Sequence, residues 1–237
     1  MSEIIKSEGI VFRTLKYSET SLILDIYSND HGIGSYIISG VRKSKSKLAN
    51  LFHPMNIIDF VAYHQEDKLS RIKEASFHYT YDDMYNSIVK SSIGLFIIDL
   101  ARNAIKEKEA QSETYHLIKQ FLMGIDKGTV TLKYAPLNFA VEFAAHMGFE
   151  LYNNYSDARP YFDLTSGSFV EDLTRSPHCI DAQLSHYLSH IIAGNPDIQI
   201  PKESRSILLD KMVDFYKFHI SGFRELKSVD VIRTILS

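Results

Sequence analysis

The sequence has one cysteine, no long apolar run and no excess of positive charge. A lone thiol, Cys179, cannot form an intrachain disulfide. The uncharged, mostly apolar run at residues 91–98 is eight residues long, whereas a transmembrane helix needs roughly 18 to 20 residues. Charged residues at positions 3, 6 and 8 interrupt the N-terminus, where a signal peptide needs an apolar segment. We therefore expect a cytoplasmic protein that does not associate with membranes.

The net charge of -3 argues against a protein that is basic over its whole surface. The charge is unevenly distributed, however. Residues 1–80 hold 10 Lys or Arg and 9 Asp or Glu, residues 81–201 hold 9 and 15, and residues 202–237 hold 7 and 5. The densest positive segment contains four cations: Arg42, Lys43, Lys45 and Lys47. We call this the basic segment. No acidic residue lies between Asp30 and Asp59, so it is the sharpest charge feature of the chain.

The apolar pattern divides the chain near residue 80. Before it, β-rich or alternating runs predict five strands, at 8–15, 22–27, 35–39, 56–63 and 71–77. After it, helical spacing predicts six helices, the first from Asp82 or Asp83 to Lys108. The others are at 115–122, 136–147, 181–193, 204–221 and 229–236, the last behind a possible Ser228 N-cap. Residues 150–178 lack this spacing and predict a small hairpin or irregular lobe. The fold class is therefore α+β, with a five-stranded barrel at 1–80 and a helical domain at 81–237.

The common catalytic signatures are missing. The chain has no Gly-x-x-x-x-Gly-Lys-Ser/Thr loop, no Gly-x-Ser-x-Gly elbow and no His-Glu-x-x-His motif. Gly32 and Gly34 are not followed by the third glycine of a dinucleotide-binding turn. We therefore expect no enzyme of a common motif-bearing class, and no cofactor.

The best metal candidate is a group of one thiol and three imidazoles: His178, Cys179, His186 and His190. His186 and His190 are four residues apart and would share a helix face. The same spacing arises by chance in a chain with ten histidines, and a buried cysteine usually acts as a small apolar filler. Asp82 and Asp83 could pair on a metal, but acids at a helix start favour the helix dipole. We expect no metal site.

The basic segment has two interpretations. Cations that alternate with serine can neutralise phosphates while the hydroxyls bond to the same backbone, which favours sequence-independent nucleic-acid binding. Aromatic residues near it in the barrel could stack on bases: Tyr17, Tyr27, Tyr36, Phe52 and Tyr63. Alternatively, the segment is a solvated surface loop and each aromatic belongs to the core.

Several segments, in order and spacing, resemble the RecO family of bacterial DNA repair proteins. In the first 80 residues these are Gly9-Ile10-Val11-Phe12-Arg13, Tyr17-Ser18-Glu19-Thr20-Ser21-Leu22-Ile23, Gly32, Ser39-Gly40-Val41-Arg42-Lys43-Ser44-Lys45-Ser46, Leu51 and Pro54. In the remainder they are Met147-Gly148-Phe149, Tyr216, His219 and Leu226-Lys227-Ser228. The resemblance covers nearly the whole chain.

The resemblance implies an OB-fold followed by a helical domain, in a recombination mediator without a catalytic centre. It implies binding of single- and double-stranded DNA, annealing of complementary strands, and contact with the C-terminal tail of single-stranded-DNA-binding protein. With RecR, such a mediator helps load RecA. By position, the family's DNA-binding loop corresponds to Arg42, Lys43, Lys45 and Lys47, and Arg13 on the first strand is a weaker candidate. Many relatives carry four zinc-binding cysteines in the lobe, but residues 149–178 have none, so a zinc site is not implied.

Two other functions compete with the mediator. A general OB-fold protein for single-stranded nucleic acid would explain the basic segment but not the helical domain. An unrecognised enzyme would need a deep pocket with convergent titratable groups. Sequence alone does not locate the protein-partner surface. Cations on the last helices are possible members of it: Lys211, Lys217, Arg224 and Lys227.

Overall fold

A computed structural model describes residues 3–41, 47–64, 68–106, 110–195 and 197–236, with the backbone alone for Lys47, Leu48 and Arg175. The chain divides into two compact units. The first comprises Met1–Tyr85 with Lys106–Lys127, and the second comprises Asn86–Ile105 with Gly128–Ser237. No helix within these described ranges is both long enough and apolar enough to cross a membrane.

Five β-strands of the first unit close into a barrel. They are β1 (Glu3–Lys16), β2 (Leu22–Ser28), β3 (Gly32–Ile38), β4 (Ile57–His64) and β5 (Ser70–Tyr79). They pair in the order β1-β2-β3-β5-β4 and back to β1, with β3 and β5 parallel and the other pairs antiparallel. This is the topology of an OB-fold. The predicted five-stranded OB-fold barrel is confirmed, and the helices that follow it confirm the α+β class.

Alternate residues of the strands fill the barrel. Leu24 and Ile26 of β2, Tyr36 of β3 and Phe60 of β4 are almost fully buried in one cluster. The rings of Tyr36 and Phe60 meet edge to face, with centroids 5.2 Å apart. Burying a side chain of this size contributes about 1.5–3 kcal/mol. The core therefore fixes the register of the strands, and with it the positions of the side chains on their outer faces.

Helices follow the barrel along the chain. They are α1 (Ile88–Ala104), α2 (Ser112–Lys127), α3 (Ala135–His146), α4 (Ala182–Ile192), α5 (Lys202–His219) and α6 (Lys227–Ile235). Between α3 and α4 lies the predicted hairpin, made of β6 (Tyr161–Asp163) and β7 (Ser168–Val170). Pro136 lies in the first turn of α3, and Gly148 follows the helix with a φ of 81°, as the proline and glycine preferences of helix ends predict.

Helix α2 belongs to the first compact unit. The Tyr115 hydroxyl and the Lys119 ammonium both donate to Glu8 Oε1 of β1, each at 2.6 Å. The ring of Tyr115 also packs against Tyr27 of β2, with centroids 5.9 Å apart. The compact units place α2 with the barrel, although α2 follows residue 80 in the chain. The domain boundary near residue 80 therefore stays a prediction.

The predicted start of the first helix at Asp82 or Asp83 is wrong. The backbone N–H groups of Asp82, Asp83 and Met84 donate to the Asp126 carboxylate of α2 at 2.8 to 3.1 Å. These residues therefore form a turn, and α1 begins at Ile88, where the Ser87 side chain caps Lys90 N–H. The helix also ends at Ala104, before the predicted residue 108.

Ser228 is not the N-cap of the last helix. Leu226 occupies that position without a side-chain cap, and Ser228 lies inside the first turn of α6. Its hydroxyl donates to Asp99 Oδ2 of α1 at 2.8 Å. The serine thus joins α6 to α1, and a tertiary hydrogen bond replaces the local one that the sequence suggested.

We predict that Asp126→Asn lowers the free energy of unfolding by about 1–3 kcal/mol at neutral pH, because buried N–H donors lose a charged acceptor. Burial alone would raise the pKa of Asp126, but the N–H groups of Asp83, Asp82 and Met84 and the Tyr79 hydroxyl hold it below its ordinary value. The carboxylate therefore stabilises the fold above the unfolded-state pKa of about 3.9, and this contribution is lost as pH falls through the lower folded-state pKa.

Urea titrations at several pH values would test this. The wild type should lose stability on acidification more steeply than the variant. Glu19→Gln, which removes one exposed charge from the same unit, is the matched control and should behave like the wild type. Equal stability of Asp126→Asn and the wild type at neutral pH would contradict the prediction.

Candidate nucleic-acid interface and apolar pocket

The basic segment joins β3 to β4. Arg42, Lys43 and Lys45 lie outside the described residues, and Lys47 begins a short 3-10 helix, Lys47–Phe52. Val41 on one side and Leu51 and Phe52 on the other are buried in the barrel core. Both ends of the basic segment are therefore attached to the barrel.

Hydrogen bonds hold the chain that follows the 3-10 helix. The Asn56 amide donates to the carbonyls of Asn50 at 2.8 Å and Leu51 at 3.0 Å. The Tyr85 hydroxyl donates to Asn56 Oδ1 at 2.6 Å, and the Tyr81 hydroxyl donates to the Met55 carbonyl at 2.8 Å. The chain that follows the basic segment is thus held by Asn56 and by the two tyrosine hydroxyls, which come from about 30 residues farther along the sequence.

Exposed cations and aromatics meet at the end of the barrel from which the basic segment leaves. Arg71 at the start of β5 pairs across strands with Ile37 of β3 and Tyr63 of β4. It also donates to Ser39 Oγ at 3.4 Å, and Ser39 Oγ lies 3.3 Å from Ser21 Oγ in the β1–β2 loop. We define the barrel rim as Lys16, Tyr17, Tyr63 and Arg71.

The barrel rim has the groups that single-strand binding requires. Lys16 and Arg71 are exposed, and the side chains of Tyr17 and Tyr63 are 63% and 38% exposed. Cations can contact phosphates, while phenol rings offer faces on which unpaired bases stack. The loop that carries Tyr17 adds one exposed acid, Glu19. This end of the barrel therefore suits a nucleic-acid strand that continues onto the basic segment.

Three of the five aromatics predicted near the basic segment cannot stack on bases. Tyr27, Tyr36 and Phe52 are fully buried. Tyr36 fills the barrel, where its hydroxyl has no hydrogen-bond partner among the described residues. Phe52 belongs to the same core cluster. Tyr17 and Tyr63 are exposed, so the expectation is retained only for these two.

Arg13 lies on the outer face of β1 and is already paired. Its Nε donates to Asp25 Oδ2 at 2.6 Å, and Asp25 Oδ1 accepts from Ser35 Oγ at 3.1 Å. A phosphate would have to compete with this carboxylate, so Arg13 remains the weaker candidate. Sequence reasoning missed Arg71 and Lys16. The strand alternation around Arg71 marks it as outward-facing, but only barrel closure places it beside Ser39.

We predict that Tyr17→Ala weakens binding of single-stranded DNA by about 5- to 150-fold, since a stacked base contributes roughly 1–3 kcal/mol. Bases in a duplex are already stacked, so affinity for double-stranded DNA should change less than about twofold. Fluorescence anisotropy with both DNA forms would measure this. Tyr152→Ala removes a similarly exposed ring, 64% exposed, from the second unit and is the control. Equal losses for both DNA forms would contradict a stacking role.

The four candidate metal ligands are not brought together. His178 packs on Phe218, with ring centroids 4.4 Å apart. His186 and His190 do share a face of α4, at 4.7 Å between centroids, but the Asn195 amide lies 3.0 Å from His190 Nδ1. Across the ranges that the structure describes, no group of three or more His, Cys, Asp or Glu side chains could hold a metal ion.

Aromatic packing holds the lobe. Phe162 of β6 and Phe169 of β7 are buried and meet edge to face, with centroids 4.9 Å apart. Tyr155 packs on Phe169 from the preceding loop at 5.3 Å.

We predict that a chelator leaves the melting temperature unchanged, whereas Phe162→Ala lowers the unfolding free energy by about 3–5 kcal/mol. Calorimetry with metal analysis would test this, and zinc at one equivalent, lost together with stability, would contradict it.

The second unit contains an apolar pocket of about 430 Å³ between α3, α5 and α6. Its apolar lining comes from these helices and from Leu236, which follows α6: Pro136, Leu137, Ile207, Leu209, Ile232 and Leu236. Its charged lining comprises four cations and one acid: Lys133, Lys202, Arg205, Arg233 and Glu203. The pocket therefore combines apolar walls with a net positive charge, inside a unit that holds 12 Lys or Arg against 14 Asp or Glu.

The four cations of the pocket have different partners. Lys133 Nζ donates to Gln199 Oε1 at 3.1 Å, and Arg205 donates to the Ile200 carbonyl at 2.8 Å, so both have neutral acceptors. Lys202 makes no ion pair with a described residue. Arg233, in contrast, is bound by the carboxylates of Asp210 and Asp230. The cations named earlier as possible partner contacts, Lys211, Lys217, Arg224 and Lys227, do not line the pocket.

Comparison with known proteins covers the whole chain. Residues 1–81 match the family model Recombination protein O N terminal, and residues 85–229 match Recombination protein O C terminal. The DNA repair protein RecO of Christiangramia forsetii is 29% identical over 242 residues, that of Phocaeicola vulgatus 28% over 240, and that of Flavobacterium psychrophilum 26% over 246. Each alignment covers 98% of this chain and 99% of the relative. The chain therefore belongs to the RecO family of DNA repair and recombination proteins.

Proposed function

We propose that this protein is a DNA-binding recombination mediator that acts in the cytoplasm. In this proposal, the barrel rim and the basic segment bind single- and double-stranded DNA and bring complementary strands together. The observation that carries the proposal is the cluster of exposed cations and tyrosines at the end of the barrel where the basic segment leaves. A surface of this kind binds the phosphate backbone and stacks unpaired bases, and neither contact depends on sequence.

The apolar pocket is the proposed site for the acidic tail of single-stranded-DNA-binding protein. A peptide that carries carboxylates and ends in apolar side chains would bury those side chains against Leu137, Ile207 and Ile232. Its carboxylates would contact Lys133, Lys202 and Arg205. Lys133 and Arg205 donate to neutral acceptors, and Lys202 makes no ion pair with a described residue. Attraction of this type weakens as salt rises.

Transfer of the strand to RecA, together with RecR, completes the proposed function. Family membership supports this step. The step requires the protein to bind and release DNA and involves no making of covalent bonds. The pocket supports a mediator that recognises a protein partner, since apolar walls with cations suit an acidic peptide. A general OB-fold protein would bind DNA but would not respond to single-stranded-DNA-binding protein.

A strand-mixing assay would test the proposal. Two labelled complementary strands, each coated with single-stranded-DNA-binding protein, should anneal at least tenfold faster with the protein than without it. Adding RecR and RecA should then shorten the lag before RecA assembles on coated DNA. Annealing of bare strands but not of coated strands would favour the general OB-fold protein. No acceleration in either case, with DNA binding intact, would contradict a mediator.

A further inference from the structure

Arg233 lines the pocket and is paired with two carboxylates that lie outside the lining, those of Asp210 and Asp230. Arg233 Nε donates to Asp210 Oδ1 at 3.1 Å, and Nη2 of the same guanidinium bonds to the same oxygen. Arg233 Nη1 donates to Asp230 Oδ1 at 2.7 Å. Two carboxylates, one from α5 and one from α6, thus bind the guanidinium of a residue that lines the pocket. No other pocket cation is paired with a carboxylate among the described residues.

The carboxylate pair changes what the pocket can select. A ligand carboxylate would gain little at Arg233, because Asp210 and Asp230 already supply the hydrogen bonds and a local charge of opposite sign. The two aspartates also repel an approaching anion. Binding of an acidic ligand must then draw on the apolar walls, in addition to the cations Lys133, Lys202 and Arg205.

We propose that Asp210 and Asp230 are specificity-determining residues of the pocket. By holding Arg233 in internal ion pairs, they prevent tight binding of peptides that are merely acidic. They admit a peptide whose carboxylates precede an apolar end. The inference depends on the proposed role of the pocket as a peptide site, and it adds a reason why an acidic peptide without an apolar end is rejected.

The test uses the full-length protein and two synthetic peptides. The probe is a run of aspartates followed by leucine and phenylalanine, and the comparison peptide carries serine and glycine in place of those two residues. For the wild type, we expect the probe to bind at least tenfold more tightly than the comparison peptide. The double variant Asp210→Asn, Asp230→Asn should bind both peptides more tightly, by about threefold to tenfold. The gain in affinity should be larger for the comparison peptide, so the ratio of the affinities for the two peptides should fall.

Arg233→Ala separates this inference from a general charge effect. In the wild type it should weaken binding of both acidic peptides, because it leaves the carboxylates of Asp210 and Asp230 without their cation. In the double variant it should abolish the gain. Asp214→Asn is the matched control, since Asp214 is also on α5 but pairs with Lys217, which does not line the pocket, whereas Asp210 pairs with Arg233, which does. It should leave both affinities within about twofold.

Two results would overturn the inference in distinguishable ways. If the wild type binds the probe and Ile207→Glu prevents this, but the double variant keeps the wild-type affinities and preference, the aspartates do not set specificity. If the wild type does not bind the probe, or binds it equally well with Ile207→Glu, the pocket is not the peptide site. The proposed partner contact then fails, and the specificity inference fails with it.

Discussion

Replacing Arg42, Lys43, Lys45 and Lys47 with alanine is expected to weaken DNA binding by about 100-fold at physiological salt. Each cation that neutralises a phosphate releases counterions, so each lost contact reduces the salt slope by about 0.7 for single strands and 0.9 for duplexes. Four lost contacts would lower the slope by about 2.8 for single strands and about 3.6 for duplexes. Relative affinities for different sequences should be unchanged, because phosphate contacts carry no base information.

A second four-alanine variant provides the matched control. Replacing Lys211, Lys217, Arg224 and Lys227 removes the same charge from the second unit. Its affinity and salt slope should remain near those of the wild type, because the proposed phosphate contacts come from the basic segment and the barrel rim, and these four cations belong to neither. If both variants lose affinity equally, net charge governs DNA binding. If neither does, the basic segment is not the DNA contact.

The barrel could be predicted from the sequence because its strands have a period of two, set by one buried and one exposed face. The boundaries were less accurate where pairing alone defines a strand. Strand β1 begins at Glu3 because Glu3 pairs with His64, although the alternation near its start is weak. The helix stripes likewise predicted α3, α4 and α5. At Asp82 and Ser228, local capping rules failed because Asp126 and Asp99 supply stronger partners from distant positions.

The candidate sites were harder to predict because their parts are far apart in sequence. The barrel rim combines Tyr17 with Arg71, and only the parallel contact of β3 with β5 brings Arg71 to Ser39. The pocket combines residues from 133 to 236, on helices whose relative packing no local pattern encodes. Composition did predict the basic segment, since charge density needs no tertiary structure. It could not show that Tyr36 and Phe52 would be buried and that Asp25 would pair with Arg13.

Replacing Ile207 with glutamate is expected to reduce the affinity for an acidic, apolar-ended peptide at least tenfold. Ile207 is 45% exposed and lines the pocket, so the substitution should not create a cavity in the buried core. The new carboxylate would repel the carboxylates of the peptide and would lose hydration when the apolar end binds. Val231→Glu is the matched control, since Val231 is 46% exposed on α6 and does not line the pocket. Calorimetric titration should show near wild-type affinity for that control.

The same variant tests whether DNA and partner binding use separate surfaces. Ile207→Glu should bind DNA like the wild type and anneal bare strands, yet fail to accelerate annealing of strands coated with single-stranded-DNA-binding protein. The four-alanine variant of the basic segment should do the reverse, keeping peptide affinity while losing DNA. The charge distribution motivates this expectation, because residues 81–201 hold 9 Lys or Arg against 15 Asp or Glu and should repel DNA over most of their surface. If either folded variant loses DNA and peptide together, one surface serves both ligands and the division is wrong.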